Sequence, residues 1–216
     1  MSVPAQAAER GTVAVSGHGE ASAVPDLAVI SVGVEVRKPT ATEAMTAQAT
    51  TAQALLDAVR AQGVSDRDIR TESMWLDPVY ENDQSNNTYL AGFQAGQAFS
   101  VKVRDVTKTG TVLRAAVDAT GDAGRINGVA FDIEDRVALR YRARAAAFEN
   151  ARAKAAQYAQ LSGLSLGDLV SVEEGAAIGT SPVPTLVSPV ADGAQVPVAP
   201  GEIRDEVVVN VVYQLR

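Results

Sequence analysis

Two stretches of this 216-residue chain follow one plan. An alternating apolar run ends in Val-x-Val-Arg, a run of helical period follows, and a glycine closes it before the next strand. In the first stretch Ala28, Ile30, Val32, Val34 and Val36 share one parity, while Ser31, Gly33, Glu35 and Arg37 share the other, which describes a half-buried strand. Thr40-Ala-Thr-Glu43 is a capping box after Pro39, Met45, Ala49, Ala52, Leu55, Leu56 and Val59 recur at helical spacing, and Gly63 ends the helix. In the second stretch Ala91, Phe93, Ala95, Phe99, Val101 and Val103 share a parity. Asp105 can cap a helix with Val106, Gly110, Leu113 and Val117 on one stripe, closed by Gly121. With strands over Ile69 to Tyr80 and Ile126 to Ile133, two strand-helix-strand units are the simplest account.

The remaining elements follow from the same periods. ENDQSNNT at 81 to 88 is a polar hairpin loop. Asp135 can cap a third, longest helix that runs to about Ser162 with Tyr141, Phe148, Ala151, Ala155 and Tyr158 inward. Leu166 to Glu173 and Ile203 to Leu215 are the last strands, and in the second of them Asp205 is the one polar residue on an otherwise apolar face. The expected class is α+β: a mixed sheet built from the two strand-helix-strand units with hairpin returns, three helices packed on it, and a long Pro-rich loop before the C-terminal strand. Residues 1–10 are expected to be a disordered lead-in, and 11–216 one domain that carries a Pro/Val-rich loop at 176–200.

Gly17-His18-Gly19 raises the question of a ligand loop. Dinucleotide loops also use spaced glycines, but those follow a strand and open a helix, and here a strand follows. A bend or bulge with Gly17 and Gly19 at unusual φ is the preferred reading, with Pro25 at the entrance of the next strand because it lacks a donor.

Composition narrows the chemistry. With one histidine and no cysteine, no Ser/His/Asp or Cys/His arrangement beyond His18 can be built, nor a zinc site of several histidines or thiolates. No pair of carboxylates is placed by spacing in an acid/base motif, so no catalytic residue, cofactor or metal ligand is assigned. Asp77, Glu81 and Asp83 lack the ordered spacing of a calcium loop and read as a solvated loop. A net charge of −7 argues against nucleic acid. No apolar stretch approaches the length of a membrane helix. MSVPAQAAER lacks the form of a signal peptide, so the chain is either cytosolic or exported with its leader removed and Met1 added.

Ser16-Gly-His-Gly-Glu20, Pro25-Asp-Leu-Ala28, Gly33-Val34, Ala44, Gly63 and Asp68-Ile69 together resemble the SIMPL domain family, formerly a domain of unknown function, which includes the 26 kDa periplasmic immunogenic proteins. The resemblance resumes at Val103-Arg-Asp105, at Ala151-Arg-Ala-Lys-Ala155 with Leu161, Gly163 and Leu166, and at Pro200-Gly-Glu202, and so spans about residues 11 to 216. It implies a bacterial envelope location, homo-oligomers that can be ring- or channel-like, and links to oxidative-stress tolerance. It carries over no catalytic role for the Gly-x-Gly-Glu signature.

Two features suggest surfaces for such an assembly. Arg136, Arg140 and Arg144 form an i, i+4, i+8 stripe on the third helix, either a solvated face balanced by Glu134, Asp135 and Glu149 or a contact for an acidic neighbour. The 176–200 loop places Val183, Leu186, Val187, Val190 and Val196 among five prolines and is either plainly disordered or, being more apolar than a linker needs, packed on another subunit or a partner. The expected function is therefore a non-enzymatic envelope protein acting as a homo-oligomer. The alternative is a monomeric adaptor for a protein or small ligand, and a carboxylate-only hydrolase is a third reading with no motif behind it.

Overall fold

A computed structural model describes residues 11–175, 182–183 and 198–216, which divide into two compact units. The lead-in 1–10 and most of the 176–200 loop lie outside the described residues. Among the described residues, one unit comprises 25–134 and 198–201, and the other comprises 11–24, 135–175, 182–183 and 202–216.

The first of these, the central unit, contains both strand-helix-strand repeats: β2 (Leu27–Lys38), α1 (Ala41–Ala61), β3 (Ile69–Asn82), β4 (Thr88–Val103), α2 (Thr109–Thr120) and β5 (Gly124–Asp132). Its sheet runs β3-β4-β2-β5 and every pair is antiparallel. This is the split β-α-β-β-α-β arrangement, in which each helical crossover skips over one strand. The parities hold: Ala28, Ile30, Val32 and Val34 of β2 meet Phe99, Val101 and Val103 of β4 in one core with Leu55 and Val59 of α1 and Val112 and Leu113 of α2. Each large side chain buried there contributes about 1.5–3 kcal/mol.

The capping box of α1 is complete, with Thr40 Oγ1 accepting from Glu43 N and Glu43 reaching back to Thr40 N. Gly63, at φ +89, ends the helix as expected. The inward stripe, however, is Ala44, Gln48, Ala52, Leu55 and Val59, and Ala49 is exposed. Gln48 is 1 % exposed because its Nε2 donates to Gln97 Oε1 at 2.7 Å, a partner on β4 that helical period cannot reveal. Asp105 caps a short 3-10 turn at Val106–Lys108 that feeds α2; Gly110 and Leu113 are buried as expected, but the buried face is completed by Thr109, Val112, Ala116 and Thr120, and Val117 is exposed.

The outer unit is formed by β1 (Thr12–Ala23), α3 (Arg136–Leu161), β6 (Leu166–Glu174), the two-residue β7 (Pro182–Val183) and β8 (Glu202–Leu215). Its sheet runs β1-β8-β6, with β7 also pairing β8, again antiparallel throughout. The α+β class stands, but the strands form two antiparallel sheets, not one mixed sheet. The physical reason is a non-local ladder: β1 pairs along its whole length with the C-terminal strand, from Thr12 opposite Gln214 to Ala23 opposite Ile203.

Within this unit two expectations are corrected together. Gly17 and Gly19 have no positive φ and sit in unbroken strand. Their lack of a side chain serves packing: a Cβ on Gly17 would lie 2.1 Å from Ala147 O and 2.6 Å from Ala151 Cβ, and one on Gly19 would lie 2.1 Å from Ala147 N and 2.2 Å from Ala143 O. The helix backbone rests on the strand. The buried face of α3 is accordingly Leu139, Ala143, Ala147, Ala151, Ala155 and Ala159. Tyr141 and Tyr158, expected inward, are 70 % and 57 % exposed, because no aromatic ring fits where backbones approach this closely.

A Gly17→Ala substitution should lower unfolding free energy by about 2–3 kcal/mol, because the clash is with backbone that cannot rotate away. Gly128→Ala, where an added Cβ meets nothing within 4 Å, should stay within about 0.5 kcal/mol of wild type. Urea denaturation of the two variants checks the contrast.

Candidate functional site

The basic residues of α3 flank its alanine stripe on both sides, and each flank has its own task. On one flank Arg140 Nη2 and Arg144 Nε donate to the two oxygens of Glu174 on β6, at 3.1 and 2.7 Å. Arg140 also stands 3.9 Å from Asp205, the polar exception on β8, whose side chain is 6 % exposed. The Arg144 hydrogen bond, seconded by that of Arg140, holds the Glu174 carboxyl below its ordinary range. The acid that balances these arginines is thus Glu174, thirty or more residues away in sequence.

On the other flank the side chains serve the edge of β1. Lys154 Nζ donates to Ser16 O at 2.9 Å, Arg142 Nη2 to Ser22 O at 3.3 Å, and His18 N donates to Asn150 Oδ1 at 3.1 Å. Ser16, His18 and Ser22 have the parity whose backbone groups point away from β8, so α3 covers an edge that would otherwise accept another strand. Helical spacing gives Arg142 and Lys154 no such role, since edge groups become visible only once β1 is paired.

His18 itself projects on the exposed face of the outer sheet, opposite Val208 and beside the cross-strand pair Glu20 and Glu206. Arg204 Nε binds Glu20 at 2.7 Å. Among the described residues no group of three or more His, Asp or Glu side chains is placed to hold a metal. Asp83 organises the β3–β4 turn, accepting from Ser85 N and Asn87 N, and Glu81 pairs with Arg37 at 2.6 Å, so two of the three loop acids have structural tasks.

The central unit holds a second ion-pair centre. Asp68, 7 % exposed, accepts from Arg104 Nε and Nη2 at 2.9 Å each, and Arg104 Nη1 reaches Glu134. The Arg104 hydrogen bonds hold the Asp68 carboxyl below its ordinary range, against the opposing effect of burial.

Exposed apolar residues lie on the outward side of α3, as Val137, Tyr141, Tyr158 and Leu161, and on strands of both units. The β3–β4 hairpin shows Met74, Leu76, Tyr80, Tyr89 and Leu90, and β6 shows Leu169, Val170 and Val172, each between 38 % and 60 % exposed. Both β3 and β6 are edge strands. Of the sequence-predicted contacts, Arg140 and Arg144 lie in the Glu174 network, and Arg136 opens the same helix. Val183 pairs its backbone with Glu202 in β7, while Leu186, Val187 and Val190 lie outside the described residues.

Residues 13–213 match the family model SIMPL, described as a protein of unknown function (DUF541). The chain is similar to the 26 kDa periplasmic immunogenic protein of Brucella melitensis, 31% identical over 94% of this chain and 84% of that protein. It is also similar to the uncharacterized protein YggE of Edwardsiella ictaluri, 27% identical over 74% of this chain and 66% of that one. A solved structure of CutA from Synechococcus elongatus aligns with 58% of this chain and 94% of its own, at 17% identity and a TM-score of 0.27.

Because the folded-state pKa of Asp68 is depressed, its contribution to stability is present above the unfolded carboxylate pKa of about 4 and is lost as pH falls through the lower folded value. Asp68→Asn should therefore remove part of the acid-side loss of stability below about pH 4, at the cost of lower stability at neutral pH. Denaturant midpoints measured from pH 2 to 7 read both changes.

Proposed function

The chain belongs to the SIMPL family, and from that premise we propose that it is a non-enzymatic protein of the bacterial cell envelope that works as a homo-oligomeric assembly. The envelope location rests on the periplasmic relative in Brucella. A link to oxidative-stress tolerance rests on the family alone.

The observation that carries the assembly is the unequal treatment of sheet edges. α3 covers the edge of β1 with side-chain hydrogen bonds, whereas among the described residues the edge strands β3 and β6, with the adjacent end of β4, carry half of the exposed large apolar residues and have no helix bonded along their edges. Apolar groups on an open edge favour association, by burial and by completing the ladder. On β3, bulges at Thr71/Ser73 and Val79/Tyr80 and the donorless Pro78 limit strand addition, so side-chain contact along the hairpin is the stronger mode there. Arg136, Arg140 and Arg144, and the segment from Val183 through Leu186 and Val187 to Val190, are the further proposed contacts. Arg140 and Arg144 would act through a guanidinium already shared with Glu174, which makes their part weak and salt-sensitive.

Light scattering coupled to size exclusion should give a mass that is a multiple of 22.5 kDa at micromolar concentration. Replacing Tyr80, Tyr89 and Leu90 together with Ser should reduce that mass without unfolding the protein, since all three are exposed. A wild-type monomer would remove the assembly and leave the adaptor reading.

A further inference from the structure

The central unit contains a cavity of about 220 Å³ where the end of α1, the turn into β3, the end of β4 and the turn before α2 come together. Arg67, Lys102, Arg104 and Lys108 line it against two carboxylates, Asp68 and Asp105, a local excess of positive charge on a chain whose net charge is −7. Most of the lining charge is already engaged. Arg104 is held by Asp68 and Glu134, and Asp105 accepts from Thr107 N at 3.1 Å and Thr107 Oγ1 at 2.5 Å.

What is left unspent is cationic and donating. Lys102 and Lys108 make no ion pair among the described residues, although each is near enough to an acid, Asp68 and Asp105 respectively, to favour its ionised form. Arg67 Nε stands 3.9 Å from Asp68 Oδ2, beyond hydrogen-bond reach. Ser65 occupies the N-cap position of the 3-10 turn Asp66–Asp68 but makes no capping bond with its side chain. After α3 the chain turn closes with Leu164 N donating to Ala159 O at 2.9 Å, whereas Val64, at the equivalent place after α1, makes no such bond and lines the cavity.

We propose that this cavity binds a compact oxyanion of the phosphate class, held by Lys102, Lys108 and Arg67 with the Ser65 hydroxyl as a neutral donor. A cavity of this volume is smaller than the roughly 300–1,000 Å³ of sites for drug-sized ligands, which suits a free phosphate or a small phosphate ester. Charge-assisted hydrogen bonds from ammonium and guanidinium groups supply the affinity, and that affinity falls as salt rises.

Calorimetry at low ionic strength with inorganic phosphate, sulfate and glycerol phosphate, on the full chain, tests the site. Saturable binding is expected, and NMR titration with the same anions should shift only amides within residues 62–68 and 102–108. Lys102→Ala with Lys108→Ala should weaken it by about tenfold or more. Both lysines are exposed, so the double variant retains its fold, which circular dichroism verifies. Arg70→Ala, which removes an exposed arginine paired with Glu72 outside the cavity, should bind as wild type does. Tighter binding of glycerol phosphate than of phosphate identifies an ester as the ligand class, and equal binding identifies the free anion. The site is refuted if millimolar concentrations of all three anions give no saturable binding to wild type, or if the double lysine variant binds as tightly as wild type.

Discussion

The outer unit depends on how closely α3 lies on β1. Gly17 and Gly19 leave no side chain on the strand face beneath the helix, and Ala143, Ala147 and Ala151 leave almost none on the helix, so the two backbones meet. Dispersion contacts between closely packed backbones replace the usual layer of large side chains. The arrangement fixes the register of the helix along the strand, because either glycine shifted by one residue would place a Cβ inside α3. With the register fixed, Asn150 and Lys154 reach the backbone of β1 on one flank, and Arg140 and Arg144 reach Glu174 on the other. Edge protection and charge pairing are consequences of one packing decision.

That decision also changes the meaning of the basic helix. Six cations on α3 of an acidic chain suggest a surface for a partner, yet Arg140, Arg142, Arg144 and Lys154 are each bonded within the same unit. Exposed ion pairs contribute little stability individually, about 0–1 kcal/mol. Their value here is positional: they hold β1 and β6 at the two sides of β8 under one helix. The apolar surface proposed for association therefore lies on β3, β4 and β6, and Lys102 and Lys108 are cations of the central unit that make no ion pair among the described residues.

Elements were legible wherever the signal is local. The capping box Thr40–Glu43, the cap at Asp135, the stop at Gly63 and the parity of β2, β4 and β8 all depend on neighbours within a few residues, and all appear where the sequence places them. Two strand-helix-strand units were readable for the same reason. What escaped is set by partners distant in sequence. The division into two sheets follows from β1 pairing β8 across nearly the whole chain, and the burial of Gln48 follows from Gln97. The glycines of β1 show the limit most clearly. Sequence marks them as special, but backbone freedom and close approach predict the same residue, and only the facing alanines decide between them. The alanine spacing from 143 to 159 was itself a usable signal, since an unbroken i, i+4 run of the smallest side chain marks a helix face built for close approach.

Whether α3 and β1 meet backbone to backbone is tested by asking if a clash at Gly19 can be relieved from the helix side. The stability of Gly19→Ala is measured alone and combined with Ala147→Gly. Because the added Cβ would meet Ala147 N and Ala143 O, backbone atoms that no side-chain deletion removes, the double variant should be no more stable than the single one and should lose about a further 1 kcal/mol from glycine in the helix. Recovery of wild-type stability in the double variant would show that side chains, not backbones, separate α3 from β1, and would overturn the backbone contact.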